Sequence, residues 1–225
     1  LLLAVTYLNG WPPLYSDSIP YLSEGRKVLS ALFGGSVIPE WHHRSLVYSV
    51  FVLPLHRDVS PWGVAFLNAF VVAALVHGAL AWVLPGLSQW REWAVVAALT
   101  AFTALGWFVA LVMPDVLAGV AVLTMTQLGS EKRLSTFARL ALVAGLWFAV
   151  VSHTSHLALA LVLLVAFASG QILVVGAGVG RTFRALRLPL LALALVVASQ
   201  VTVNRVYVGD ASPLGRHLPH LLARV

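Results

Sequence analysis

The sequence predicts an all-α, polytopic membrane protein: a bundle of about seven spans, the first partial, with juxtamembrane helices in the first outer loop. Three observations predict it. Of 225 residues, 60% are hydrophobic and only 10% charged, with a mean hydropathy of +0.92. An ordinary soluble domain carries about 25% charged residues, so this chain cannot cover a water-facing surface. Long runs contain no Asp, Glu, Lys or Arg, namely 59–90, 93–114, 140–180 and 188–204. Finally, Lys and Arg gather on alternate connections. A soluble enzyme, a disordered chain and a collagen-like chain are excluded. The absence of cysteine removes disulfides, thiolate metal sites and a Cys nucleophile.

The uncharged runs give spans at about 1–9 (partial), 62–84, 92–113, 115–130, 138–153, 157–179 and 187–206. They are apolar all round, as lipid-embedded helices should be. The opening run is too short to cross a bilayer, and we read it as the second half of a span in a longer chain. The whole of 1–225 reads as one membrane domain. Its parts are an outer loop at 10–60, a helix bundle at 61–206 and an outer tail at 207–225.

The stretch from Arg44 to Leu55 decides the topology. About a dozen residues at 1.5 Å each reach some 18 Å, too little to cross, so 43–55 is expected to lie at the surface, as is 18–33. With that choice, the connections around Arg91, around Lys132, Arg133 and Arg139, and around Arg181, Arg184 and Arg187 share one side. The opposite turns at Met113-Pro114-Asp115 and Ser152 to His156 carry no Lys or Arg. The basic side is then cytoplasmic by the positive-inside rule. The net charge of +6 reflects this asymmetry and not a nucleic-acid partner.

Eight acids are available for chemistry. Asp58, Glu92 and Glu131 sit beside basic residues at span ends and read as interface charges. Glu24 and Glu40 lie in the outer loop and read as solvated. Asp17 precedes Ser18-Ile19-Pro20 and serves either as a helix N-cap or as a base held at the membrane surface. Asp115, after Pro114, is likewise either a cap for the following helix or a functional carboxylate at membrane depth.

His153 and His156 are three residues apart and can share a helical face. Metal binding, substrate hydrogen bonding and simple packing all remain open for them, although two ligands fall short of a zinc site. His77, inside a span, reads as a satisfied buried histidine in preference to a haem ligand. The loop histidines 42, 43, 217 and 220 carry little information. Arg26, Lys27, Arg44, Arg57, Arg205 and Arg216 populate the outer face, where they are either solvated or in contact with phosphate. No Walker, Rossmann, nucleophile-elbow or zincin motif occurs. Gly176 to Gly180 reads as close helix packing.

The order of these features resembles the N-terminal part of the GT-C glycosyltransferases. The resemblance rests on Ser16-Asp17-Ser18-Ile19-Pro20-Tyr21-Leu22 after the first span, on the helix beginning Arg44-Ser45-Leu46-Val47-Tyr48, and on Pro114-Asp115 after the third span. Asp17 stands alone where that family often has paired acids. The resemblance implies an integral protein of a bacterial inner or cytoplasmic membrane that takes sugar from a polyprenyl-phosphate donor at the outer face. Asp17 would act as general base or orient the acceptor hydroxyl. Asp115 would help hold a divalent metal or the acceptor. Arg26, Arg44, Arg205, His153 and His156 would contact substrate. Two other classes compete: a non-catalytic subunit of a larger membrane complex, and a transporter, for which only His77 and Gly78 lie near a span centre.

Overall fold

A computed structural model describes residues 1–35, 44–130, 134–209 and 211. Among these residues every regular element is helical and no strand occurs. In chain order the helices are α1 (Ala4–Asn9), α2 (Ser18–Leu32), α3 (Leu46–His56), α4 (Trp62–Val83), α5 (Gln89–Phe102), α6 (Leu105–Ala110), α7 (Val116–Gly129), α8 (Thr136–Val151), α9 (Thr154–Leu173) and α10 (Val179–Val208). Among the described residues, three helical stretches are long and apolar enough to cross a membrane: Trp62–Val83, Thr154–Leu173 and Val179–Val206. Their outward faces carry large apolar side chains such as Phe70, Val162, Val165 and Phe183. An integral membrane protein is the class these surfaces fit.

The remaining apolar stretches are shorter. The region 92–113, expected as one helix, is divided into α5 and α6 at Thr103-Ala104. Thr103 is extended, with φ −131° and ψ 171°. Its hydroxyl donates to the Leu99 carbonyl at 2.5 Å and accepts from the Leu105 amide at 3.1 Å. A threonine that satisfies the backbone on both sides offers the chain an alternative to continuing the helix.

Helices form close to the stretches expected at 18–33 and 43–55, as α2 and α3. α2 and α3 pack on each other along one stripe of α2: Tyr21, Glu24, Gly25 and Val28, all buried. That spacing is one helical face. Gly25 permits the approach, because a Cβ there would run into the Ser49 carbonyl. The stripe also corrects the reading of Glu24, which is fully buried and accepts from Lys27 Nζ at 2.9 Å. A carboxylate on the packed face must be paired, whatever the loop's general exposure.

α7, α8 and α10 pack against one another with α9 alongside, around Leu117, Ala121, Met125, Leu146, Ala149 and Val196. Trp147 Nε1 donates to Ser199 Oγ at 3.0 Å, fixing α8 to α10. α4 lies against α7, α3 and α6. Asp115, which precedes α7, acts electrostatically on His153 and His156 at the α8–α9 turn, so the two turns come to one end of the bundle.

Candidate functional site

Asp17, Arg44, Asp115, His153 and His156 gather at that end. Ser45 brings Arg44 there. Its hydroxyl accepts from the Tyr48 amide at 3.2 Å, capping α3, and donates to the Val151 carbonyl at 2.5 Å, at the last turn of α8. Arg44 therefore stands beside the α8–α9 turn. Its Nη2 lies 2.5 Å from Asp17 Oδ2, and its guanidinium sits 5.7 Å from the centroid of the Tyr21 ring. Tyr21 in turn meets Tyr48 edge-on at 5.2 Å.

Neither candidate acid acts as a cap. Asp17 and Asp115 occupy the N-cap positions of α2 and α7 in αR geometry, and neither side chain accepts a capping hydrogen bond. Asp17 is engaged by Arg44 instead. Asp115 has one oxygen, Oδ2, that is buried without a hydrogen-bond partner, and the buried Tyr48 hydroxyl is unpartnered as well. Leaving such groups bare costs about 1–3 kcal/mol each. An acceptor and a donor of this kind in one cluster suit a polar guest.

The electrostatics tie the cluster together. Asp115 acts on Tyr21, Tyr48, His153 and His156, while Asp17 acts on Tyr21 and His153. Burial pushes the Tyr21 hydroxyl well above its ordinary value, against the opposing pull of Arg44. Burial does the same to Tyr48, so both phenols remain donors. Burial also holds the His153 imidazole below its usual value, reinforced by His156 and opposed by Asp115.

The histidine rings lie 5.2 Å apart. His153 Nδ1 accepts from the Ser155 amide at 3.2 Å, which leaves the ring hydrogen of the neutral form on Nε2. His156 Nδ1 faces the Ala149 carbonyl at 2.7 Å and must donate to it, which leaves Nε2 as the acceptor of the neutral ring. The pair thus offers one donor and one acceptor. Among the described residues no group of three or more His, Asp or Glu is arranged to hold a metal ion. These side chains alone do not supply a divalent-metal donor set.

Other expected residues lie elsewhere. Arg26 pairs with Asp58, which also approaches His56 Nδ1 at 3.4 Å, so these three form a separate group. Arg205 is exposed in the last turn of α10 and forms no ion pair among the described residues. His77 is not buried: its side chain is 67% exposed and Nδ1 lies 2.5 Å from Glu92 Oε1. That pair stands in a largely apolar groove of about 810 Å³ between α1, α4 and α5. Glu40, Glu131, Lys132, Arg133, Arg216 and the histidines at 42, 43, 217 and 220 fall outside the described residues, as does most of the tail.

Sequence reasoning missed Asn68. Buried in the second turn of α4, it donates from Nδ2 to the Leu111 carbonyl at 3.0 Å and so anchors the bend leading to Asp115. A lone amide inside an apolar span was the available signal. Tyr21 and Tyr48 were legible as motif letters only, since their burial comes from the α2–α3 packing. Compared with known proteins, the chain matches no family model, no curated protein and no solved structure.

Proposed function

We propose that the chain is the membrane part of a GT-C-like glycosyltransferase that uses a polyprenyl-phosphate sugar donor at the outer face of a bacterial inner or cytoplasmic membrane. In this reading the bundle has seven spans, α1 being partial, and the arginine-bearing connections face the cytoplasm. The observation that carries the proposal is the meeting of Asp17–Arg44 with Asp115, Tyr48 and the His153–His156 turn. It places two acids not spent on capping and a buried unpartnered carboxylate oxygen in one cluster.

The acceptor hydroxyl hydrogen-bonds to Asp115 Oδ2, the oxygen with no other partner. It attacks the anomeric carbon from the face opposite the lipid phosphate. The new carbon–oxygen bond forms as the bond to the phosphate oxygen breaks, and the hydroxyl proton passes to the carboxylate. Arg44 offsets the charge that develops on the leaving phosphate. Asp17 holds Arg44 in position.

The test is sugar transfer from a polyprenyl-phosphate donor by membranes that carry the full-length protein. Asp17→Asn and Asp115→Asn should each abolish transfer while the amount of inserted protein stays unchanged. Retained turnover in both would overturn the reading. The Asp17–Arg44 pair also suits a non-catalytic subunit in which it is a structural strut. The exchange Asp17→Arg with Arg44→Asp separates the two readings: a strut is rescued by the swap, and catalysis is not.

A further inference from the structure

At the opposite end of the bundle, four arginines converge on one cavity. It has a volume of about 430 Å³ and lies where α7 ends and where α8 and α10 begin. Arg181, Arg184 and Arg187 are spaced by three along the first turns of α10 and share one face. Arg139, from the first turn of α8, joins them, and Leu128 and Leu188 contribute apolar lining. None of the described residues lining the cavity is acidic.

Orientation in the membrane needs positive charge on a loop, but it does not need that charge focused on a cavity. Like charges at this spacing on a helix repel one another. Among the described residues no carboxylate pairs with Arg139, Arg184 or Arg187, and Arg184 Nε only reaches back to the Gly180 carbonyl at 3.3 Å. All four are arginine, whose planar fork matches a phosphate bidentately where lysine offers a point charge. Around the cavity the surface is strongly apolar: Phe137 is 82% exposed, Val179 78% and Phe183 64%. Guanidinium groups beside outward-facing aromatic and aliphatic side chains form the pattern of a headgroup site with acyl chains running alongside.

We propose that the cavity formed by Arg139, Arg181, Arg184 and Arg187 binds a phosphate group, presented by an anionic phospholipid headgroup in the leaflet opposite the acidic cluster. The site is independent of the glycosyltransferase reading and stands whether or not that reading holds. The cavity is large enough for one phosphodiester headgroup, and its mixed lining suits a ligand that is anionic at one end and apolar at the other.

The test is the thermal unfolding of full-length protein in non-ionic detergent, with dioleoyl phosphatidylglycerol, dioleoyl phosphatidylcholine or inorganic phosphate added. Phosphatidylglycerol should raise the melting temperature by about 5 °C, whereas phosphatidylcholine should leave it unchanged. An equal rise with inorganic phosphate would assign the site to free phosphate, the same chemistry from another source. No rise with either anion overturns the proposal. Arg184→Gln with Arg187→Gln should remove the shift, and its full persistence would place the lipid elsewhere and overturn the site. Should that variant fail to insert, Arg184→Lys with Arg187→Lys keeps the charge that orients the chain and should lose at least half of the shift. An undiminished shift in the lysine pair overturns the assignment to guanidinium forks.

Discussion

The Ser45 hydroxyl donates to the Val151 carbonyl across 106 positions of sequence, while its oxygen also caps α3. One side chain thus starts α3 and fastens it to the end of α8. Ser45→Ala removes both bonds and leaves a buried carbonyl unmet. It should lower stability by about 2–3 kcal/mol, read from unfolding in detergent. Ser45→Thr keeps the hydroxyl and should recover most of the loss.

Gly25 and Gly119 make a matched pair of tests. A Cβ at Gly25 meets the Ser49 backbone, whereas at Gly119 it meets nothing within 4 Å. Gly25→Ala should separate α2 from α3 and destabilise by about 1–3 kcal/mol. Gly119→Ala, in the first turn of α7, should be neutral or stabilise by up to about 1 kcal/mol. Comparable losses at both positions would refute the close approach of α2 and α3.

Asn68→Leu should cost about 1–3 kcal/mol, because the Leu111 carbonyl loses its donor in a buried place. If the run from Leu111 positions Asp115, any activity of the full-length protein should fall with it. Asn68→Ser or Asn68→Gln, each with a polar group near the same place, should be milder in both measurements.

Burial depresses His56 and His153 below their ordinary value of 6.5, so the unfolded chain binds more protons than the folded one as pH falls past that value. The sign follows from linkage: stability is complete above about pH 6.5 and declines as the medium becomes more acidic. Melting temperatures across pH 5 to 8 should show the decline. His153→Gln should flatten it without abolishing it, because His56 remains.

The absence of native cysteine makes labelling unambiguous. Single cysteines in place of the exposed Ser155, at the start of α9, and the exposed Arg184, beyond its end, should react with an impermeant maleimide from opposite faces. Reaction from the same side would refute the proposed topology.

The sequence carried α2 and α3 as short helices plainly. Arg44 to Leu55 is too short to cross, whereas Glu24 looks solvated until the stripe it shares with Tyr21, Gly25 and Val28 is seen packed on α3. It carried the break between α5 and α6 poorly, since Thr103 is a single letter whose hydroxyl geometry decides the outcome. Charge asymmetry hinted at Asp17 and Asp115, but their alternative role as caps could be weighed only once the side chains were seen. His77 shows the limit of composition: an apolar span says nothing about which face turns toward Glu92 or outward. The meeting of Arg44 with Asp17 depends on Ser45 reaching Val151, a contact between distant segments that no local pattern announces.

α10 carries a measure of the membrane it fits. Arg187 and Arg205 bracket an uncharged stretch and stand 18 positions apart on this helix, about 27 Å along its axis. The hydrocarbon of a typical bilayer is about 30 Å thick. An upright α10 would therefore pull the two headgroup layers toward each other, and any tilt would deepen the mismatch. Lipids with long acyl chains should oppose the protein, and shorter or unsaturated ones should welcome it. Acyl-chain length thus becomes a variable that tunes this bundle from outside.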